Sequence, residues 1–144
     1  MLSKELEFCL NKAFREASSE RHEFVTVEHV LLAIIETTAV REVLGGCGAD
    51  PGQLGADLRQ YVEANTLRRT SIVECPAVPQ LGVQRIMQRA VFHVRSSGQS
   101  EVGVVDVLVA LFSEKRSHAV SLLERARVRD VDAIDYIARS KPIS

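Results

Sequence analysis

Shifted against itself by 77 residues, the chain aligns without a gap. Ala13 meets Ala90, Ser19 meets Ser96, Val25 meets Val102, Val27 meets Val104, Val30 meets Val107, Leu31 meets Leu108 and Ala33 meets Ala110. Leu6, Cys9, Leu10 and Ala17 fall on the apolar Val83, Ile86, Met87 and Val94 at the same shift, so the buried face repeats as well as the letters. A short gap then brings Ala39-Val40 onto Ala119-Val120. Self-similarity at a fixed period marks a duplicated supersecondary unit, and the apolar spacing within it decides what that unit is.

In the first copy, apolar residues at 2, 6, 9, 10, 13, 14 and 17 recur at helical spacing, with Ser3 as N-cap and Glu5 in the first turn. Thr26 is placed to cap a second helix whose residues Val27, Val30, Leu31, Ala33, Ile34 and Ile35 are apolar nearly all round, as in a central buried helix. Thr37 or Thr38 caps a short third helix ending at Gly45-Gly46. Asp50-Pro51 forms an N-cap and N1 pair that opens a fourth, running through Tyr61-Val62. The second copy predicts helices over about 82–97, 104–113, 118–127 and 130–139, with Gly98 just past a helix end and Asp130 as a cap. Residues 66–80 have no steady period and contain Pro76 and Pro79, which reads as a surface linker, and no prolonged alternation suggests a strand. The expectation is an all-α fold of two tandem pseudo-symmetric four-helix repeats. It forms a single domain over 1–144, with repeat one over about 1–65, the linker over 66–80 and repeat two over about 81–140.

The 144 residues are 46% hydrophobic and 26% charged with a formal net charge of -1, which excludes a disordered chain and removes the overall basicity expected of nucleic-acid or anionic-membrane binders. None of Lys4, Lys12, Lys115 and Lys141 follows a glycine, so the phosphate-cradling G-x-x-x-x-G-K-[ST] loop is absent. There is no apolar run of about 20 residues and no signal-peptide pattern, which points to a cytoplasmic protein. Cys9, Cys47 and Cys75 are odd in number and far apart, as suits reduced thiols, with Cys9 a small core residue.

The densest polar cluster is His22-Glu23 followed by Glu28-His29. It invites a metal-dependent hydrolase built on His22, Glu23 and His29, but H-E-x-x-H needs a histidine at position 26, where Thr stands. The simpler reading puts Glu28 in a first helical turn, where the helix dipole favours it, and His29 at N3. Arg85, Arg89 and His93 form a cationic stripe at i, i+4 and i+8. With two Tyr, five Phe and no Trp in the chain there is no stacking platform beside it, so a solvated face or partner-binding edge fits better than a nucleic-acid site. No G-x-S-x-G and no cysteine with a local histidine partner supplies a nucleophile. The residues themselves describe a duplicated helical module that binds rather than catalyses.

At R-H-E-F-V-T-V-E-H-V-L-L-A, residues 21–33, and at Q-R-I-M-Q-R-A-V-F-H-V, residues 84–94, the sequence resembles the N-terminal domain of the ClpA family of AAA+ unfoldases, which feed the ClpP protease. The Ser96-Ser97-Gly98 turn directs the resemblance to ClpA rather than to the wider ClpB and ClpC group. It implies a non-catalytic, monomeric docking domain that recruits the small adaptor ClpS for N-degron substrates and presents protein substrates to the ring. It implies no metal or cofactor in this segment, with ATP and magnesium in the parent protein. By position, the adaptor contacts implied are Glu23 and Glu28, on an exposed face before the buried helix, with Gln80 and Arg85 after the linker. The family pattern has Pro-Thr where this chain has Pro79-Gln80, and a basic residue where it has Asp130. A free-standing helical interaction module is the alternative.

Overall fold

Side-chain oxygens fix where most of the helices begin. The computed structural model describes residues 2–65 and 77–140. Ser3 accepts the Leu6 N–H (3.1 Å) at the start of α1 (Lys4–Ser19), and Thr26 caps α2 (Val27–Ile34). Thr37 caps α3 (Thr38–Gly46), and Asp50 accepts from Gly52 N and Gln53 N at 3.0 and 3.3 Å to open α4 (Pro51–Asn65). In the second copy follow α5 (Leu81–Ser96), α6 (Val104–Leu111), α7 (His118–Arg125), capped by Ser117, and α8 (Asp130–Ser140). A cap of this kind is worth about 1 kcal/mol, because it pairs an N–H that the helix itself leaves open.

The repeat is visible in the backbone itself. Arg21 (φ 61°) and Gly98 (φ 78°) occupy the left-handed turn after α1 and α5, and the same bond closes each helix, His22 N to Ala17 O (2.8 Å) and Gln99 N to Val94 O (3.1 Å). Gly48 (φ 89°) and Arg127 (φ 65°) repeat the pattern after α3 and α7, now offset by 79 residues, with Ala49 N to Leu44 O and Val128 N to Leu123 O both at 2.9 Å. One member of each pair is an arginine. The turn therefore imposes the conformation, and glycine merely adopts it at lower cost.

The copies interlock. Helices α2 and α6 touch each other, α3 packs against α6 and α8 of the other copy, and α7 packs against α2 and α4. Leu31, Ile34, Leu44, Leu58, Leu108, Leu111 and Leu123 are fully buried in one apolar cluster that draws on both copies. Each such side chain contributes about 1.5–3 kcal/mol through burial. The chain also exchanges its extended segments. In β1 (Phe24–Val25) and β2 (Val78–Pro79), Val25 pairs in parallel with Pro79, while Leu2 bridges Val102 in the equivalent register. Gln80 N donates to Val25 O (3.0 Å) and Ser3 N to Val102 O (2.9 Å), so the residues that lead into each copy bind the other.

Three sequence expectations change. Residues 66–76 lie outside the described residues, but 77–80 are not surface slack: Ala77 is buried, its N–H donates to Ser18 Oγ (3.0 Å), and Val78–Pro79 forms a strand. Such a two-residue ladder is too short for alternation to announce it. Asp130 is the first helical residue of α8 rather than its cap, and Asp132 reaches back to Arg129 N (3.1 Å). Helices α6 and α7 end about two residues earlier than periodicity suggests.

Candidate docking face

The ladder gathers the residues that the sequence singled out on either side of the linker. Val78 N donates to Glu23 O (3.1 Å) and Gln80 N to Val25 O, which places exposed Glu23 at one end of the pairing and exposed Gln80 at the other. Gln80 is the N-cap of α5 but makes no side-chain cap bond. Between and beside them, Val78 is 54% and Leu81 69% exposed. Sequence reasoning missed these two. The signal was Leu81 itself, which stands where the first copy has Lys4, an apolar departure from the repeat at a helix start.

Arg85 lies one helical turn beyond Leu81 and is not a free cation. Its Nε and Nη2 grip Glu114 Oε2 and Oε1 at 3.0 and 2.7 Å, a bidentate clamp from α5 to the turn after α6, and this hydrogen bond lowers the Glu114 carboxyl below its ordinary value. A Cβ at Gly82 would come within 3.0 Å of Val27 Cγ2 and 3.1 Å of Glu114 Oε1, so a residue without a side chain lets the α5 N-terminus sit against α2 and the clamp. Arg89 and His93 continue the stripe along an open α5–α6 groove of about 670 Å³, beside Phe92, which is 74% exposed.

Glu28 is not on an exposed face. It is 7% exposed, and its Oε2 accepts the Ala119 N–H at 2.9 Å, so a carboxylate from α2 caps the N-terminus of α7 alongside Ser117, whose Oγ takes the Val120 N–H. Position 28 does stand in a first turn, as expected, but its charge serves the neighbouring helix as well as its own. Helical spacing marks which face a residue occupies, yet it does not show that another copy's helix will cover that face.

His22 and His29 are brought together as hydrogen-bond partners. Thr26 N donates to His29 Nδ1 (3.0 Å), which leaves the His29 proton on Nε2 to bridge to His22 Nδ1 (3.0 Å); both rings are buried. His29 thus closes a capping box with Thr26, and at the equivalent N3 of α6 Asp106 supplies the matching back-bond alone, accepting from Gly103 N (2.8 Å). Burial, together with the adjacent His22, pushes the His29 pKa down to about 4. Glu23 is on the surface, and among the described residues no three His, Cys, Asp or Glu side chains are grouped to hold a metal ion. Burial raises the Cys9 thiol pKa, as befits the core residue expected, and Cys75 lies outside the described residues. Among the described residues no helix is long and apolar enough to cross a membrane.

The model of the Clp repeat N-terminal domain matches residues 1–126. A protein named ClpA homolog from Fuscovulum blasticum is 36% identical over 137 residues, covering 94% of this chain and 17% of its own length. The chain therefore spans less than a fifth of that curated relative. Among solved structures, the Hsp104 N-terminal domain from Candida albicans superposes with a TM-score of 0.79 at 13% identity, covering 92% of this chain and 85% of that one. A ClpV N-domain in complex with a VipB peptide superposes with a TM-score of 0.69 at 20% identity, covering 87% and 78%.

Two outcomes test the buried polar contacts. Glu28→Ala, which strips Ala119 N of its acceptor, is expected to cost about 1–3 kcal/mol in urea unfolding, and Glu28→Gln, which keeps an oxygen there, clearly less. Equal losses would show that the carboxylate does not act as this cap. For His29, the unfolded chain takes up a proton near pH 6.5 that the native state refuses until about pH 4, so acid favours the unfolded state across that window. Stability should fall between those values by up to about 3 kcal/mol. His29→Gln, which keeps an N3 acceptor, should flatten that part of the profile, and unchanged slopes would contradict the assignment.

Proposed function

The chain belongs to the Clp repeat N-terminal domain family, a non-catalytic binding domain of Clp ATPases, and from that membership we propose that it docks the adaptor ClpS for a ClpA-type unfoldase. The observation that carries the reading is the exposed apolar pair Val78 and Leu81, flanked by Glu23, Gln80 and the Arg85–Glu114 clamp. An apolar centre with charged groups at its edge is how protein–protein interfaces are generally built, and rim charges of both signs orient the partner. The ClpV N-domain held with a VipB peptide supports a role for this fold in holding protein segments. In this reading the parent protein supplies the ATP- and magnesium-dependent ring and passes N-degron substrates to ClpP in the cytoplasm.

Glu23, Gln80 and Arg85 remain the proposed adaptor contacts. Glu28 supports the face from within, by fixing α7 to α2, since its carboxylate is already engaged. The Arg85 clamp means that an adaptor acid has to share the guanidinium with Glu114 or approach its remaining donors.

Calorimetric titration with ClpS from the same organism tests the proposal. Glu23→Arg and Leu81→Asp are each expected to weaken binding at least tenfold, about 1.4 kcal/mol, with little change in melting temperature because both side chains are exposed. Phe8→Ser, at an exposed position about 16 Å back along α1 from its C-terminal end, should bind as the parent does. Unaltered affinity in both face variants would remove this surface from the interface, and no binding by the unaltered domain would overturn the adaptor reading.

A further inference from the structure

The two copies do not finish their outer junctions in the same way. Where α8 packs on α3, the Tyr136 ring lies directly on Gly46, so closely that a Cβ there would collide with it. The 79-residue offset that relates Gly48 to Arg127 and Leu44 to Leu123 relates Gly46 to Arg125 and Tyr136 to Asp57. At the matching junction of α4 with α7, the tyrosine and glycine are thus replaced by a carboxylate on α4 and a guanidinium on α7. That junction is an open groove of about 620 Å³ lined by both Asp57 and Arg125.

Its floor is preformed. Leu54 and Leu122 are buried beneath it, and at one end the Tyr61 and His118 rings stack with centroids 3.9 Å apart and planes within 5°. The ring of His118 is placed by the start of α7, which Ser117 and Glu28 cap. Asp57 takes a hydrogen bond from Gln53 Nε2 (3.0 Å) on its own helix, so the α4 wall keeps an acidic and amide character, while exposed Arg125 stands on the α7 wall. The shared architecture is able to seal this junction, as the other copy shows. The opening is therefore a property of the residues at these positions rather than of the fold.

We infer that the α4–α7 groove is a second binding site, which takes an extended segment of a partner protein carrying basic and acidic side chains in alternation. Its basic groups meet Asp57 on the α4 wall, its acidic groups meet Arg125 on the α7 wall, and its intervening chain lies over the Tyr61–His118 stack. The volume is within the range of sites that bury small ligands and short peptide stretches. The groove shares no residue with the Glu23–Leu81 face, so the inference is independent of the adaptor reading.

Fluorescence anisotropy with a labelled decapeptide of alternating Lys and Glu, and a Gly-Ser decapeptide as control, tests it on the intact chain. The charged peptide is expected to bind saturably with a midpoint below about 1 mM, and the Gly-Ser peptide at least roughly tenfold more weakly. The double variant Asp57→Tyr with Arg125→Gly copies the sealed junction and should lose binding roughly tenfold with the helical circular dichroism retained. Arg125→Glu, a surface change that leaves the packing untouched, should weaken binding roughly fivefold and decides the matter if the double variant does not fold. Equal binding of both peptides, no saturable binding of the charged one, or wild-type affinity in the folded sealed variant or in Arg125→Glu would overturn the inference.

Discussion

Two short helices, α2 and α6, are too apolar for either copy to cover alone, and this need governs the rest of the molecule. Val27, Val30, Leu31 and Ile34 in α2, and Val104, Val107, Leu108 and Leu111 in α6, are all buried. A helix apolar over most of its circumference needs neighbours on most sides. Its own copy supplies α1 or α5, and the other copy supplies α7 or α3. Exchange of the extended segments at Leu2–Val102 and Val25–Pro79 follows the same logic at the edge of the core. Interlocking also explains the buried polar groups. Once α7 crosses α2, its open N-terminal N–H groups need an acceptor from within, and Glu28 provides one.

The proposed docking face is a by-product of this exchange. Bringing the end of the linker back to β1 sets Val78 and Leu81 beside Glu23, residues more than fifty positions apart in sequence. The close fit of Gly82 on Val27 sets the start of α5 against the start of α2, and the Arg85 clamp on Glu114 ties α5 to the turn after α6, so the face is carried by packed helix ends. A surface held in this way loses little conformational freedom when a partner binds, which favours affinity.

The duplication, the eight helices and most caps were legible because they rest on local chemistry: hydroxyls at Ser3, Thr26 and Thr37, the Asp50-Pro51 pair, and apolar spacing that the 77-residue shift reproduces. Family resemblance was legible from residues 21–33 and 84–94, and the matched family agrees with it. What depends on contacts between copies was not legible. Glu28 looked like a surface acid because its cover comes from α7, 91 residues away. The His22–His29 pair suggested a metal, since spacing alone does not show two rings bonded to each other. Arg85 looked like part of a free stripe because Glu114 reaches it from the turn after α6, 29 residues away.

The two copies form one shared core, so that neither folds alone. Residues 1–65 and 77–144, prepared separately, test it by thermal melts followed by far-ultraviolet circular dichroism. Weakly helical fragments without a cooperative transition are expected, beside an intact chain that melts in one step. A cooperative melt of either fragment near the temperature of the intact chain would contradict it.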